Sequence, residues 1–358
     1  MPTNRSSLSA IARVLDCMAV GRELAAQGVP VDVIVHDNSC DPTKQAMLSQ
    51  VAYDGLTYVS GTAYPGSENF LRALARSRGR YVMVAADDDV MHLPGVIAMG
   101  RALLAAQSGT QDAPAGACGT YLVDAPRALS AYAYKGLAAP SASQRLAGFF
   151  SQPGPNLIFY SAVRRDVFER FADYAGTHPV PLSFHDQMLT LMLLQAGTVV
   201  TTERVFYQYD MCNWTDSATG RATDARFVRA AGLDASLESI LWVFGALEGA
   251  FLSLSPRFSY LSADEATRFA GLWFETKFRE ARNDGRVPAG GSGHATAAVQ
   301  RFRAKWLAQT DADLLVLFAD LVELLRDTGF ARADEYFAYW NANLGGLLSP
   351  AETALATP

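Results

Sequence analysis

Residues 79–94 read GRYVMVAADDDVMHLP, an apolar run that ends in three consecutive aspartates, Asp87, Asp88 and Asp89. A glycine in front and a helix-starting Leu-Pro-Gly behind make the run typical of a parallel strand covered on both faces. Such a strand ends at the ligand edge of an α/β sheet. Carboxylates crowded there repel one another, and Mg²⁺ or Mn²⁺ with oxygen ligands would supply a countercharge. A solvated acidic turn is the equal alternative, because aspartate is common in turns.

The composition excludes several classes of protein. The chain has 358 residues, of which 50% are hydrophobic and 18% charged, as expected for one or two globular domains with a sizeable core. Its net charge of -6 offers no global basic field, so we predict no nucleic-acid partner. The four cysteines have no paired spacing, which argues against a zinc site or a disulfide framework and favours a reducing cytoplasm: Cys17, Cys40, Cys118 and Cys212.

Neither a secretory leader nor a membrane span is expected from the hydropathy of the sequence. The most apolar segment is Ile240 to Leu254, and Glu248 interrupts it. Its length predicts a core helix, and a helix lying on a membrane surface is the alternative.

Strands and helices alternate along residues 1–210 and predict a largely parallel sheet with helices on both faces. Predicted helices cover 7–27, 43–53, 68–78, 93–107, 164–174 and a segment that residues 183–187 open and that ends at Gly197. Predicted strands cover 31–36, 56–59, the run from residue 79 that ends at the aspartates, 117–123, 156–160 and 199–209. Beyond residue 224 only helical periodicity is found, over 227–254, 263–283, 295–308, 312–328 and 331–343. We therefore predict a domain over 1–223, a helical region over 224–349 and a flexible tail over 350–358.

Four segments in this order resemble the family-2 glycosyltransferases of GT-A fold. Pro2-Thr3-Asn4-Arg5 looks like the family's Pro-Thr-Tyr-Asn-Arg, and residues 33–43, VIVHDNSCDPT, look like its IIVVDNSSTDGT. Residues 79–89 are similar to its GEYIAFLDADD, and His185-Asp186-Gln187 stands where the family has Glu-Asp. The resemblance covers roughly residues 1–210 and implies a Rossmann-like, nucleotide-diphospho-sugar transferase fold with a mixed sheet and helices on both faces, followed here by an all-helical region.

The resemblance also implies roles for individual residues. Asp37 would read the nucleotide base, with Pro2 and Thr3 beside the base and ribose. Asp186 would be the general base that deprotonates the acceptor hydroxyl in an inverting transfer. The remaining donor-binding residues would be Arg5, Ser39, Asp87 and Asp88.

The Asp-x-Asp element would hold Mg²⁺ or Mn²⁺ against the sugar-nucleotide diphosphate. Asp89 would be the first metal ligand and Asp87 would assist it, while Asp88 would face the ribose or the sugar. On the residues alone, Asp37 could instead form an Asx-turn, and Asp186 could be a helix N-terminal carboxylate favoured by the macrodipole.

Three departures from the family pattern bear on these roles. The family has an apolar strand directly before Pro-Thr, and we expect its absence before Pro2 to open the core and damage the nucleotide edge. The family's Arg-Asn pair ahead of the Gly79 position is missing, and Asn69 is only approximately in its place. The third departure is His185 where the family has a glutamate.

The resulting prediction is a cytoplasmic, metal-dependent, inverting glycosyltransferase of the hexosyltransferase type, as in bacterial polysaccharide biosynthesis. A UDP-sugar is the expected donor, with TDP or GDP as alternatives, and a glycan or lipid-linked glycan is the expected acceptor. The helical region would contact the acceptor, form a homodimer or attach peripherally to the inner face of the membrane. The alternatives are a GT-A-like sugar-nucleotide-binding protein without turnover, or a Mg²⁺-dependent phosphohydrolase or nucleotidyltransferase.

Overall fold

The protein folds into two compact units, which are described separately. The structure is a computed structural model that describes residues 1–3, 5–61, 66–107, 113–125, 128–152, 156–180, 185–211, 228–229, 231–283, 296–308 and 313–345. The first unit contains Met1–Ala172 and Ala196–Asp216, and the second contains Asp173–Gln195 and Ser217–Pro358. The segment Asp173–Gln195 thus groups with the C-terminal helices, whereas our predicted domain boundary lies at residue 223.

A parallel three-stranded sheet opens the first unit, in the order β1-β2-β3. Its strands are β1 (Pro2–Thr3), β2 (Val33–Asp37) and β3 (Leu56–Ser60), joined by helices α1 (Leu8–Ala26) and α2 (Pro42–Leu48) and followed by α3 (Gly66–Arg76). Ser7 caps α1 by accepting from the Ala10 N–H, and Asp41 caps α2 in the same way. Helix α2 ends five residues before the predicted end at Tyr53, because residues 51–53 leave the helix and pack on the apolar core as a loop.

A second sheet of six strands completes the first unit. It has the order β4-β8-β6-β9-β5, with β7 paired to β6. The strands are β4 (Tyr81–Val82), β5 (Val90–Met91), β6 (Gly116–Ala125), β7 (Ala128–Tyr132), β8 (Ala162–Arg164) and β9 (Val199–Asp210). Their helices are α4 (Leu93–Gln107), α5 (Ala142–Phe150) and α6 (Arg165–Thr177), the last of which continues into the second unit.

The mixed α/β architecture with helices on both sides agrees with the predicted fold class. The prediction of a largely parallel sheet holds only for β1 to β3, because β6–β9 is the one parallel pairing described in the second sheet. Alternating elements reveal the fold class, but strand direction depends on which strands meet.

Two predicted strands differ from the structure. The apolar run before the aspartates pairs only at Tyr81–Val82, and residues 83–86 continue without sheet pairing in the described chain. The predicted strand 156–160 is wrong, because Ile158–Tyr160 form a 3₁₀ turn closed by the Ser161 N–H on the Ile158 carbonyl at 3.0 Å. A short apolar run does not distinguish a buried strand from a buried turn.

The core of the first unit contains a cavity of about 250 Å³. Apolar side chains dominate its lining, including Ile34, Phe70, Val82 and Met99. Met1 also lines it, and the Met1 ammonium donates to the Ile34 carbonyl at 2.6 Å. Directly after Met1, Pro2–Thr3 form a parallel strand on β2.

The second unit consists of helices in its described residues. After α7 (His185–Ala196) come a 3₁₀ helix (Ala235–Ile240), α8 (Leu241–Leu254), α9 (Ala263–Asn283), α10 (Ala297–Leu307), α11 (Leu314–Asp327) and α12 (Ala333–Asn343). The predicted helical region is thereby confirmed. In the described chain, one segment, Ala235–Leu254, is long and apolar enough to cross a membrane by length and composition, and 78% of it is buried inside the protein.

Glu248 of α8 is buried in the second unit and is surrounded by hydrogen-bond donors. The hydroxyls of Tyr174 and Tyr336 donate to it at 2.8 and 2.6 Å, and the Trp340 indole N–H donates at 3.2 Å. His178 Nε2 lies 3.0 Å from the same carboxylate. The one charge of this apolar helix is thus held by a network of buried polar groups, which suits the predicted core helix.

Candidate active site

Three distant segments of the first unit meet at the carboxyl ends of β1 and β2. The Thr3 hydroxyl donates to Asp87 Oδ2 at 2.6 Å, and the Arg5 backbone N–H donates to the same oxygen at 3.2 Å. The Arg5 guanidinium pairs with Asp88 Oδ2 at 2.7 Å. The edge of the sheet is therefore held together across more than 80 residues of chain, and the predicted damage to this edge is not observed.

Asn69 reinforces this edge from α3. Its side-chain amide donates to the His36 carbonyl at 3.2 Å, and its carbonyl oxygen lies 2.6 Å from His36 Nδ1. Asn69 is buried beside the ends of β1 and β2. A residue that the sequence placed only approximately thus supports the strand that carries Asp37.

Lys44 is a site residue that the sequence analysis missed. Its side chain is fully buried, and its ammonium donates to Thr3 Oγ1 at 2.7 Å and to the Arg5 carbonyl at 2.7 Å, and pairs with Asp37 Oδ1 at 3.1 Å. An ammonium has three protons, so each acceptor matches one of them. A helical side chain points toward the N-terminus of its helix, so a lysine in the first turn of α2 points back toward the end of β2. This position is the sequence signal from which Lys44 could have been found.

The Lys44 ammonium also sets the direction of the hydrogen bonds at the site. Since it can only donate, Thr3 Oγ1 accepts from Lys44 and gives its own proton to Asp87. A positive charge is thereby linked through one hydroxyl to the first carboxylate of the triplet. Charge-assisted bonds of this kind are shorter and stronger than neutral ones.

Asp37 is 1% exposed, and both of its oxygens are engaged. Oδ1 faces Lys44 and accepts from the Ser39 backbone N–H at 3.0 Å, while Oδ2 accepts from the Tyr58 hydroxyl at 3.0 Å. Burial and the neighbouring Asp37 raise the pKa of Tyr58, so its hydroxyl stays a proton donor. The Ser39 bond is that of the Asx-turn alternative, and a base N–H would have to use a remaining lone pair of Oδ2.

Asp89 is 5% exposed and is held by residues from β9. The Tyr207 hydroxyl donates to Oδ2 at 2.7 Å, and the Asp210 N–H donates to Oδ1 at 2.9 Å. Burial raises the pKa of Asp89 to about 7, against the opposing effect of these two donors. Tyr207 stacks on Tyr160 with ring centroids 4.3 Å apart, which fixes the hydroxyl that reaches Asp89.

The three aspartates do not share one set of partners. Asp87 binds Thr3, Asp88 binds Arg5 and Asp89 binds β9. Within the described residues, no group of three or more His, Cys, Asp or Glu side chains could hold a metal ion. The carboxylates fit a hard divalent cation chemically but supply only part of its oxygen shell, so such a cation would complete its coordination with water or substrate phosphate.

The remaining predicted site residues lie outside this cluster. Pro2 pairs with His36 in the β1–β2 ladder and lines the cavity. Asp186 lies in the first turn of α7, in the second unit, where a carboxylate is favoured by the helix dipole. The structure thus brings together six of the predicted residues in the first unit: Thr3, Arg5, Asp37, Ser39, Asp87 and Asp88.

Comparisons with known proteins give likenesses of structure only. No family model matches the chain, and no curated protein is similar to it in sequence. Its structure resembles that of S. aureus TarS 1-349, with 10% identity and a TM-score of 0.48 over 94% of this chain and 86% of that chain. The complexes of TarS 1-349 with UDP and with UDP-GlcNAc are also similar, with 10% and 12% identity and TM-scores of 0.47.

These two comparisons cover 94% and 87% of this chain and 85% and 79% of the TarS chains. At such identities and TM-scores the likeness carries no argument about chemistry. The function is therefore argued from the residues of the site.

Proposed function

We propose that the protein is a metal-dependent, inverting glycosyltransferase of family-2, GT-A type. It would transfer a sugar from a nucleotide-diphosphate sugar, with UDP as the expected nucleotide, to a hydroxyl of a glycan or lipid-linked glycan. A cytoplasmic site of action, with peripheral membrane contact through the helical region, belongs to the same proposal.

The observation that carries the proposal is the hydrogen-bonded link between Thr3, Lys44 and Asp87. Thr3 and Asp87 come from two of the four segments that resemble the family motifs, and Lys44 directly follows a third. The three residues meet at the carboxyl end of parallel strands. Ligands of α/β sheets bind at this edge. The site also combines the cations of Lys44 and Arg5 with carboxylates, which is the charge pattern needed to hold a diphosphate and a divalent cation together.

Each residue has a defined task in the proposed reaction. Arg5 would contact the donor diphosphate, and Asp37, held by Lys44 and Tyr58, would orient the base. Asp89, the expected first ligand, would hold a divalent cation together with Asp88 in place of the expected Asp87, because the Asp88 side chain is 23% exposed and that of Asp87 is 10% exposed. The bound cation would offset the charge on the departing diphosphate.

The proposed transfer is a single displacement at the anomeric carbon. The acceptor oxygen forms a bond to the anomeric carbon while the bond from that carbon to the diphosphate oxygen breaks. Asp186 takes the proton of the acceptor hydroxyl, and the nucleoside diphosphate leaves with the electron pair. The configuration at the anomeric carbon is inverted because attack and departure occur on opposite faces.

The decisive experiment is calorimetric titration of the full chain with UDP, GDP and TDP, in Mn²⁺ and in EDTA. We expect metal-dependent binding of one nucleotide, weakened at least about tenfold by Asp89→Asn because that exchange removes a carboxylate charge at the proposed metal site. The matched control is Asp54→Asn, an exposed aspartate of the same unit, which should bind like the wild type. Absence of nucleotide binding by the folded wild-type protein would refute the proposal.

Turnover separates the remaining alternatives. Incubation with the matching nucleotide-sugar and candidate acceptor glycans should release the nucleoside diphosphate and form a glycosylated product in equal amounts. Binding without release would favour a sugar-nucleotide-binding protein. Release of nucleotide without a glycosylated product would favour a phosphohydrolase.

A further inference from the structure

Arg5 is the movable cation of the candidate site. Its backbone is fixed on both sides, because its N–H donates to Asp87 and its carbonyl accepts from Lys44. Its side chain is 46% exposed and reaches Asp88 at 2.7 Å and Asp87 Oδ1 at 3.8 Å. The guanidinium can therefore leave the carboxylates by side-chain rotation while the main chain stays in place.

Lys44, in contrast, cannot rotate away from its carboxylate. Its side chain is fully buried, and its three protons are used by three acceptors. Of the two cations that the structure places on Asp37 and the triplet, one is locked and the other is free to rotate into solvent. Asp88, at 23% side-chain exposure, is the carboxylate that the movable cation covers.

A guanidinium and a divalent cation on Asp88 would compete. Both are attracted by the same carboxylate, and at a separation of a few ångströms they repel each other strongly at a partly desolvated site. Without nucleotide, a divalent cation that binds Asp88 must therefore either displace Arg5 or bind more weakly because of this repulsion. A nucleoside diphosphate changes the balance, because its phosphate oxygens offer the displaced guanidinium a bidentate partner.

We propose that Arg5 is a tethered counter-cation that pairs with Asp88 when no metal or nucleotide is bound and moves to the diphosphate when they bind. Competition with Arg5 makes metal binding weak without nucleotide and strong with it. By thermodynamic linkage, nucleotide binding is favoured by metal to the same degree. The diphosphate half of this inference rests on the proposed function, whereas the competition at Asp88 does not.

The competition is tested by titrating the full chain with Mn²⁺ in the absence of nucleotide and measuring free Mn²⁺ by its paramagnetic resonance signal. We expect Arg5→Gln to bind Mn²⁺ about two- to tenfold more tightly than the wild type, with a larger ratio at low salt than at high salt. The matched control is Arg13→Gln, which removes a partly exposed arginine charge from the same unit and should change the affinity little. Circular dichroism verifies that each variant is folded.

A double-mutant cycle with Asp88→Asn separates local competition from a general charge effect. We expect Arg5→Gln to gain nothing in the Asp88→Asn background, because the shared carboxylate is gone. An equal gain in both backgrounds, or no gain in the wild-type background, would overturn the inference. Failure of every variant to bind Mn²⁺ would overturn it as well.

The second half is tested by repeating the titration with saturating UDP. Arg5→Gln should now lose the cooperation between UDP and Mn²⁺ that the wild type has. If UDP does not bind but Arg5→Gln still tightens Mn²⁺ binding, the proposed function fails while the competition at Asp88 stands. If UDP and Mn²⁺ cooperate equally in wild type and Arg5→Gln, the proposed function survives and the counter-cation role is wrong.

Discussion

Replacing Lys44 with methionine removes the buried charge that links the three segments of the candidate site. Methionine has nearly the same length and volume, so the change deletes the ammonium without opening a large cavity. The three acceptors of the ammonium are left behind, and Asp37, at 1% exposure, retains the Tyr58 and Ser39 donors. The substitution therefore isolates the energetic role of this single cation.

The expected loss of stability is large. Hydrogen bonds to charged groups contribute about 1.5–3 kcal/mol each, and removing one partner of a buried ion pair costs about 3–5 kcal/mol. We expect Lys44→Met to lower the free energy of unfolding by about 3–5 kcal/mol, a large share of the roughly 5–15 kcal/mol available to a folded domain. The double variant Lys44→Met/Asp37→Asn should recover at least about 1 kcal/mol of this loss, because neither charge is then buried alone.

The assay is equilibrium urea unfolding followed by far-ultraviolet circular dichroism, with the wild type, both single variants and the double variant measured together. Lys135→Met is the matched control, since Lys135 is an exposed lysine of the same unit and should change stability by less than about 0.5 kcal/mol. A loss below 1 kcal/mol for Lys44→Met, or a double variant no more stable than the single one, would refute the reasoning that Lys44 compensates a buried Asp37.

Other features of the fold make three further predictions. Burial by itself would raise the pKa of Glu248, but His178 and the hydroxyl donors outweigh burial and keep the pKa below its usual value. This carboxylate therefore contributes stability above about pH 4.5, and that stability is lost as the pH falls through the folded pKa. In urea unfolding between pH 3 and 7, the free energy of unfolding should fall less steeply with acid in Glu248→Gln than in the wild type, and an equal dependence on pH would contradict this. On α4, Gly100→Ala should raise the free energy of unfolding by about 0.5–1 kcal/mol, because the added Cβ meets only a Val29 methyl at 3.4 Å. Gly95→Ala, on the same helix, should instead lower the melting temperature, because its Cβ would collide with the β9 backbone at Val205. Asp186→Asn should reduce kcat about 10²- to 10⁴-fold while leaving calorimetric nucleotide affinity unchanged; an unchanged kcat would remove Asp186 from the proposed mechanism.

The helices illustrate how far local sequence signals reach. The predicted first helix begins at residue 7 and the second at residue 43, close to the observed starts of α1 and α2, which the side chains of Ser7 and Asp41 cap. The C-terminal helices were predicted from periodicity alone, and their bounds agree within about three residues at most ends. Capping and periodicity act over a few residues, so the sequence displays them directly.

Strand pairing and the hydrogen bonds of the site required the folded chain. The run before Asp87 is as apolar as a fully paired strand, but how much of it joins the sheet depends on neighbours supplied by residues far away in the sequence. The wrong prediction of a strand at Ile158–Tyr160 has the same cause, because an apolar run can be buried among distant side chains either as a strand or as a 3₁₀ turn.

The sequence by itself determined the order of most elements, the helical character of the C-terminal half, the position of Asp37 at the end of an apolar strand and the position of the aspartate triplet after an apolar run. Only the tertiary structure decided that Lys44 lies beneath Thr3 and Asp37, that Arg5 covers Asp88, and that the three aspartates point to different partners. The physical reason is the distance along the chain over which each kind of interaction acts. Propensity, capping and hydrophobic periodicity are properties of adjacent residues, whereas the compensation of a buried charge depends on which distant side chains the sheet brings within about 3 Å.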